Sequence, residues 1–355
     1  MDTDGPRQEY RIETASRGWQ FSAAIICAVL LAAVLLPLFA GRDLIQNFIF
    51  LFYMMALAQC WNLLAGYAGL ISVGQQAFVG LGGYLLFALT LPGGINPLLA
   101  IPIVGIISAA MALPTALIVF RLRGAYFAIG TWVVAEVYRL VFAQFRSLGG
   151  GTGTSLDPSV TSSVPGIEWI KTILDIRTPA ARDIISYWLV LALMAGTLAL
   201  VYFTLRSRRG LALGAIRDNE TAAASLGVDI YRVKLAVYVA TAAMTGMIGA
   251  LIYLQKARIS PDAAFSVLDW TAYVIFITVI GGIGTIEGPM IGAVIFYLMQ
   301  RYLADFGAWY LILLGALGIF VMLFAPKGLW GLVSERYNLT LFPIRRKLVV
   351  RSGER

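Results

Sequence analysis

The chain has 355 residues, 59% hydrophobic and 13% charged, with a formal net charge of +8. Soluble domains carry about 25% charged residues, so a deficit of this size excludes a chain whose whole surface faces water. The sequence contains no His, which excludes imidazole metal sites and histidine acid–base chemistry. The surplus of Lys and Arg reads as basic loops on one face of a membrane, with no nucleic-acid partner.

Residues 1–18 are polar, with three Arg and four acidic residues. The 22 uncharged residues at 19–40 exceed a signal-peptide core of about 7–15, and their lead is not basic, so they read as a retained first helix. Between Asp43 and Arg121 lie 77 residues without Asp, Glu, Lys or Arg. That is room for three bilayer crossings of about 20 residues each. Gly, Pro and charged clusters divide the chain into ten apolar segments: 19–40, 44–65, 71–91, 96–120, 124–144, 184–205, 234–254, 268–283, 288–303 and 307–325. The expected fold class is all-α, a polytopic transmembrane helix bundle of about 10 spans at residues 19–331. An N-terminal tail (1–18) and a basic C-terminal tail (332–355) flank it.

An even number of crossings returns both ends to one side. Of the 27 Lys and Arg, 18 fall on that side, eight on the other, and Arg139 lies within a span. The N- and C-termini are therefore expected to be cytoplasmic. Cys27 and Cys60 sit in apolar stretches and read as buried apolar side chains, not as a disulfide or metal pair.

Two connections are long. An outer loop at 145–183 begins SLGGGTGTSLDP and carries PGIEWIKTIL, patterned as a short interfacial helix. A cytoplasmic loop at 206–234 reads RSRRGLALGAIRDNETAAASLGVDIYRVK. Its centre, 213–226, is patterned as one Ala-rich helix closed by Gly227. Ala222, Ala223 and Ala224 leave little bulk against an approaching protein, with Arg217, Asp218, Asn219 and Glu220 beside them. The alternative is a helix lying at the lipid surface, steadied by the Arg cluster. The lack of a Leu, Phe or Trp face weighs against that.

From Asn62 to Phe87 the sequence is dense in Gly, including Gly80, with Ser72, Gln75 and Gln76 as polar groups. Irregular backbone at membrane depth persists only when buried in protein or lining a cavity. These side chains therefore either bond exposed backbone, as helix–helix glue, or line a translocation pathway. A second Gly-rich break, GGIGTIEGP, holds Glu287 and Pro289. Its glycine spacing is wrong for a dinucleotide fingerprint, and no GxxxxGK[ST] exists, so this chain has no P-loop of its own. Glu136 and Arg139 lie at i, i+3 within a span and can pair; structural pairing and a substrate or proton site both fit. Asp269 starts the eighth span, near the outer interface. Midplane carboxylates of the kind an ion-coupled carrier uses are nearly absent, which points to an energy source outside the chain. No reactive Cys or cluster of catalytic carboxylates supports a membrane-embedded enzyme.

The strings QCWNLLAGYAGLISVGQQAFVGLGGY, RSRRGLALGAIRDNETAAASLGVDIYRVKLAVYVATA, GGIGTIEGPMIGAVIF and LFAPKGLWG occur in this order across roughly residues 45–331. Together they resemble the branched-chain amino acid ABC transporter permease family, and its longer, LivM-like subunit by length and N-terminal extension. The resemblance implies a bacterial inner (cytoplasmic) membrane protein without catalytic residues, cofactor or metal of its own. ATP and Mg would be held by two cytoplasmic ATPase subunits. Its other partners would be a second homologous permease, a periplasmic substrate-binding protein and the lipid bilayer. Glu220, Thr221, Ala222 and Ala223, with Gly227, match the family's coupling element, although Thr221 and Leu211 depart from its usual pattern. Arg217, Asp218 and Asn219 adjoin that element. The polar outer loop at Gly149, Gly150, Gly151 and Thr152 falls where the family meets its binding protein. Urea, amides and aromatic acids remain open as substrates beside branched-chain amino acids. The competing reading is a self-sufficient secondary transporter or channel for small polar solutes.

Overall fold

Long uncharged segments in hydrocarbon must satisfy their backbone N–H and C=O groups internally, and a helix does this within one segment. The computed structural model describes residues 9–13, 18–162, 164–337, 341–342 and 347–351. In chain order its helices are α1 (Gly18–Leu35), α2 (Arg42–Asn62), α3 (Gln75–Thr90), α4 (Pro97–Val119) and α5 (Ala125–Ala143). Two short helices, α6 (Pro158–Ser162) and α7 (Ile167–Leu174), precede α8 (Thr178–Arg206). Then come α9 (Arg208–Asp218), α10 (Glu220–Ser225), α11 (Ile230–Lys256), α12 (Pro261–Ala264) and α13 (Tyr273–Gly281). The last are α14 (Glu287–Leu303), α15 (Ala308–Phe324) and α16 (Gly328–Tyr337). Single π-helical turns continue α2 at Leu63–Tyr67 and lead into α13 at Leu268–Ala272.

The protein is an all-α membrane bundle, and each of the ten apolar segments contains a helix. Their lengths differ more than the sequence pattern suggests. Among the described residues, six stretches are long and apolar enough to cross a bilayer: Arg42–Tyr67, Pro97–Val119, Ala125–Ala143, Thr178–Arg206, Ile230–Lys256 and Pro261–Gly281. The pair Trp309–Phe324 and Gly328–Tyr337, bent by 40°, makes a seventh. Helices α3 and α14, with 16 and 17 residues, are shorter. For α3 the reason lies in its start. Gln75 at the head of α3 donates to the Leu57 carbonyl in the middle of α2, so the chain has already travelled part of the bundle's depth before α3 begins.

Helix α2 is the central element and is buried on every side from Leu51 to Asn62. It packs against α8, α13 and α14, while α3 and α4 pack on α11. The α3–α11 crossing is very close: a Cβ on Gly82 would lie 2.0 Å from the Gly246 carbonyl oxygen. Large apolar side chains such as Ile106 on α4, Trp132 on α5 and Leu323 on α15 face outward, as they do where hydrocarbon is the solvent.

Two small antiparallel pairs sit outside this core. β1 (Glu9–Glu13) pairs with β4 (Lys347–Arg351), with Glu9 opposite Arg351, which sets the two end segments side by side. β2 (Thr154–Ser155) pairs with β3 (Arg258–Ile259) and ties the loop after α5 to the end of α11.

Two expectations are revised. Cys60 is buried and free, but Cys27 is exposed. Helix α1 lies at the rim, held to α8 by Tyr187 Oη donating to the Ala33 carbonyl (2.6 Å) and Trp188 Nε1 to that of Val34 (3.0 Å). The single helix expected at 213–226 is two helices broken at Asn219. Helix α16 runs through position 331, where the sequence reading divides the membrane domain from the tail. The expected tails at 1–18 and 332–355 lie partly outside the described residues.

Candidate functional site

The residues expected along a pathway gather at an interior junction, and each is engaged there. After the π turn that ends α2, residues 68–74 run without helix back into the bundle. Their backbone is satisfied by side chains. Trp61 Nε1 donates to the Ser72 carbonyl (2.8 Å), the Val73 amide donates to Thr131 Oγ1 (3.0 Å), and the Gly74 amide donates to Ser72 Oγ (3.2 Å). Gln75 Nε2 reaches the Leu57 carbonyl at 2.9 Å, and Thr271 Oγ1 donates to Gln76 Oε1. Gly80 lies against the Phe265 ring. Ser72, Gln75 and Gln76 thus bond exposed backbone and a neighbouring helix, one of the two roles open to them from sequence. Among the described residues, the buried oxygens Gln59 Oε1 and Gln75 Oε1 have no hydrogen-bond partner.

Asn62 does something the sequence did not disclose. Its Oδ1 accepts the Gly284 amide (2.8 Å), and its Nδ2 donates to the Thr285 carbonyl (2.7 Å). One turn earlier, Gln59 Nε2 donates to the Ile286 carbonyl. Two amide side chains of α2 therefore hold the break between α13 and α14 across more than 200 residues of sequence. The break needs its glycines. Gly282 and Gly284 have φ of +133° and +77°, backbone that L side chains rarely adopt. Thr285 Oγ1 accepts the Gly288 amide (3.1 Å) and so caps the start of α14.

The loop between α8 and α11 divides into two helices that share Asn219 as a hinge point. Asn219 is extended, and its Oδ1 accepts the Ala222 amide (3.0 Å), an N-cap that starts α10 afresh. Gly227, at φ +83°, closes α10. Its amide bonds the Ala224 carbonyl and that of Val228 bonds Ala223, the paired 5→2 and 6→1 pattern of a glycine C-cap. The candidate contact residues separate. Ala223 is 1% exposed and packs on its own chain, whereas Ala222, Ala224 and Asp218 face outward. Glu220 pairs with Lys234 of α11. Arg217 turns toward the break: a Cβ on Gly284 would lie 2.9 Å from its Nη1. Leu226, not singled out from sequence, is 81% exposed. Its place beside two exposed alanines is the signal that a helical-wheel count over 220–226 would have given.

At the other end, Gly149 links two short 3-10 turns, Arg146–Leu148 and Gly150–Thr152, that lead into β2. Gly151 and Thr152 are exposed, and Thr152 Oγ1 donates to the Gly149 carbonyl (2.9 Å). The short helix expected in PGIEWIKTIL is present as α7. The Ser159 amide and hydroxyl beside Asp157 hold its carboxyl below the usual carboxylate range. Glu136 and Arg139 pair as expected (2.6 Å), and Arg139 adds Asp262 at 2.7 Å. Asp269 is half-buried in the π turn before α13. Among the described residues, the buried carboxyl groups are Asp183 and Glu287. Both bond their own chain: Asp183 accepts from Arg42 (2.6 Å) and Gln46 (2.9 Å), and Glu287 accepts from the Leu341 and Phe342 amides.

With this geometry in view, the chain compares closely with known permeases. The family described as branched-chain amino acid transport system / permease component matches residues 41–322. The high-affinity branched-chain amino acid transport system permease protein LivM of Escherichia coli K12 is 27% identical over 325 residues, 88% of this chain and 76% of that one. Its counterpart in Salmonella typhimurium LT2 is 28% identical over the same shares. A probable LivM of Methanocaldococcus jannaschii is 23% identical, covering 86% of this chain and 96% of that protein.

Proposed function

This chain belongs to the branched-chain amino acid transport permease family, and from that premise we propose that it is the membrane subunit of an ABC importer driven through its 206–234 loop. It is a multi-pass membrane transport protein. In the proposed machine, ATPase subunits dock on α9 and α10, a second permease completes the translocation unit, and a substrate-binding protein meets the 149–152 turn. Branched-chain or related amino acids are the substrate class. ATP and Mg act on the partner subunits. Ten crossings with both ends in the cytoplasm of a bacterial inner membrane suit the Lys/Arg asymmetry and the pairing of β1 with β4.

The observation that carries the reading is the elbow at Asn219. It presents Asp218 at the end of α9, and Ala222, Ala224 and Leu226 on and just after α10, outward from a short helix capped at both ends. Small residues beside one exposed Leu make a shape that another protein surface can cover. The same elbow connects inward through the Glu220–Lys234 pair and through Arg217 at Gly284. Movement imposed on it therefore has a physical route to the α13–α14 break. Asp183 and Glu287, engaged by their own chain, are poorly suited to carry a coupling ion, which favours an external source of energy over a self-sufficient carrier.

The test is association and uptake in membrane vesicles holding the full set of subunits. Leu226→Asp and Ala222→Trp are expected to lower ATPase association about tenfold or more, since a buried apolar anchor at an interface is worth about 2 kcal/mol. Permease abundance stays unchanged. Normal association and uptake in both variants would overturn the docking assignment.

A further inference from the structure

Glu287 opens α14 directly after the glycine break and is 7% exposed. A buried carboxyl group is costly unless donors surround it. Here the donors come from far along the chain. Glu287 Oε1 accepts the backbone amides of Leu341 (3.1 Å) and Phe342 (2.9 Å), 54 and 55 residues away. Those two residues lie beyond α16, outside any helix or strand, so their amides are free to be claimed by a side chain.

Phe342 touches a second place. The Phe342 ring meets the Tyr202 ring edge-on at 6.0 Å. Tyr202 belongs to the last turns of α8, where Arg206 Nη1 donates to its hydroxyl (2.8 Å) and the guanidinium lies 5.4 Å from its ring. Ser207 follows at once and caps α9. Segment 341–342 is thus bonded to the head of α14 and packed on the root of the α9–α10 loop. The break itself is also held by Asn62 of α2, and Arg217 of α9 lies beside Gly284.

We propose that Glu287 is a positioning residue and that segment 341–342 is a strap binding the α13–α14 break to the root of the 206–234 loop. The strap makes the two move as one unit. It holds the break in step with α8 and α9 whenever the loop is displaced. The strap's contact stands on the hydrogen bonds above; its consequence for energy coupling rests on the docking reading of the preceding subsection. Glu suits the place because one carboxylate oxygen accepts both amides, and a carboxylate is a stronger acceptor than a neutral amide oxygen. Gln keeps an acceptor oxygen there and Leu removes it.

Two measurements separate the contact from its consequence. The first is backbone hydrogen exchange of the full-length permease alone, followed in peptides containing 341–342. Glu287→Leu is expected to speed exchange of both amides about tenfold or more, with Glu287→Gln in between. The second is amino acid imported per ATP hydrolysed, in vesicles with the full set of subunits. Glu287→Leu and Phe342→Ala are expected to lower that ratio at least about threefold with ATPase association intact, and Glu287→Gln to restore part of it. Unchanged exchange in Glu287→Leu overturns the strap. Faster exchange with an unaltered transport ratio overturns its role in coupling. Should Glu287→Leu not fold, Glu287→Gln and Phe342→Ala decide the matter: unchanged exchange in both overturns the strap. If the unaltered permease bound no ATPase, the docking reading would fall, and the exchange result would still stand or fall independently.

Discussion

The junction at residues 282–286 and the ion group of Arg139, Glu136 and Asp262 are both polar clusters at helix ends, and they are held by opposite means. At the junction, the buried neutral amides of Gln59 and Asn62 meet backbone groups that are buried at Ile286 and half-buried at Gly284 and Thr285. At the ion group, full charges meet at 2.6–2.7 Å with Asp262 largely exposed. Charge alone would rank the ion group stronger. Burial reverses that order. A buried N–H or C=O left without a partner costs about 1–3 kcal/mol, whereas an exposed ion pair contributes about 0.2–1 kcal/mol. The short, uncharged contacts are therefore the ones that fix where α13 and α14 stand.

The largest effect should come from filling the junction. A Cβ on Gly281 would lie 1.8 Å from the Gly288 carbonyl oxygen. Gly281→Leu is expected to cost at least about 3 kcal/mol, the upper range of overpacking. The expected readout is loss of a monodisperse, thermally cooperative protein in detergent. A variant with wild-type melting behaviour would mean that α13 and α14 do not approach this closely. Next comes Asn62→Ala, which strands the half-buried Gly284 N–H and Thr285 C=O together and is expected to destabilise by about 1–3 kcal/mol. Thermal unfolding measures it. A shift no larger than that of an exposed alanine substitution would place the junction in contact with water.

The sequence discloses the two regions unequally, for a physical reason. Glu136 and Arg139 are legible because helical spacing alone brings i and i+3 together. Gly227 is legible because a C-cap is local chemistry, and so are α7 and the ten apolar segments. Asp262 as third partner, the grip of Asn62 on Gly284 and the seat of Glu287 under Leu341 join residues 54 to 222 positions apart. Side-chain periodicity carries no record of such pairings. The broken helix at 219 lies between these cases. Ala-rich composition predicts one helix, but Asn219 caps α10 through its own side chain, a preference that competes with helix continuation. Cys27 was misjudged because apolar residues on a membrane helix face hydrocarbon as readily as protein.

Arg42 tests an intermediate case. It bonds Asp183, whose side chain is 2% exposed, while its own is 53% exposed. Removing it leaves a buried carboxyl group with Gln46 as remaining donor. Arg42→Ala is expected to cost about 1–3 kcal/mol, below the full penalty for a buried pair because water reaches one partner. Asp183→Asn in the same background should recover part of that loss, since the uncompensated group is then neutral. A double variant no better than Arg42→Ala would show that Asp183 is not the group stranded.

The smallest effect belongs to the ion group, and it sets the lower bound of the comparison. Arg139 bonds Glu136 on its own helix and Asp262 on α12, so it links two elements as well as two charges. A double-mutant cycle of Arg139→Ala with Asp262→Ala isolates the inter-helix term from the local pair. The coupling is expected at about 0.2–1 kcal/mol. It should fall further near 1 M salt, where screening acts over about 3 Å. The Asn62–Gly284 contact should be insensitive to salt, because no net charge and little water take part. A coupling at Arg139–Asp262 above about 2 kcal/mol and unaffected by salt would exceed the range of exposed pairs. It would place this cluster, like the junction, out of reach of water, and the order of the two regions would be reversed.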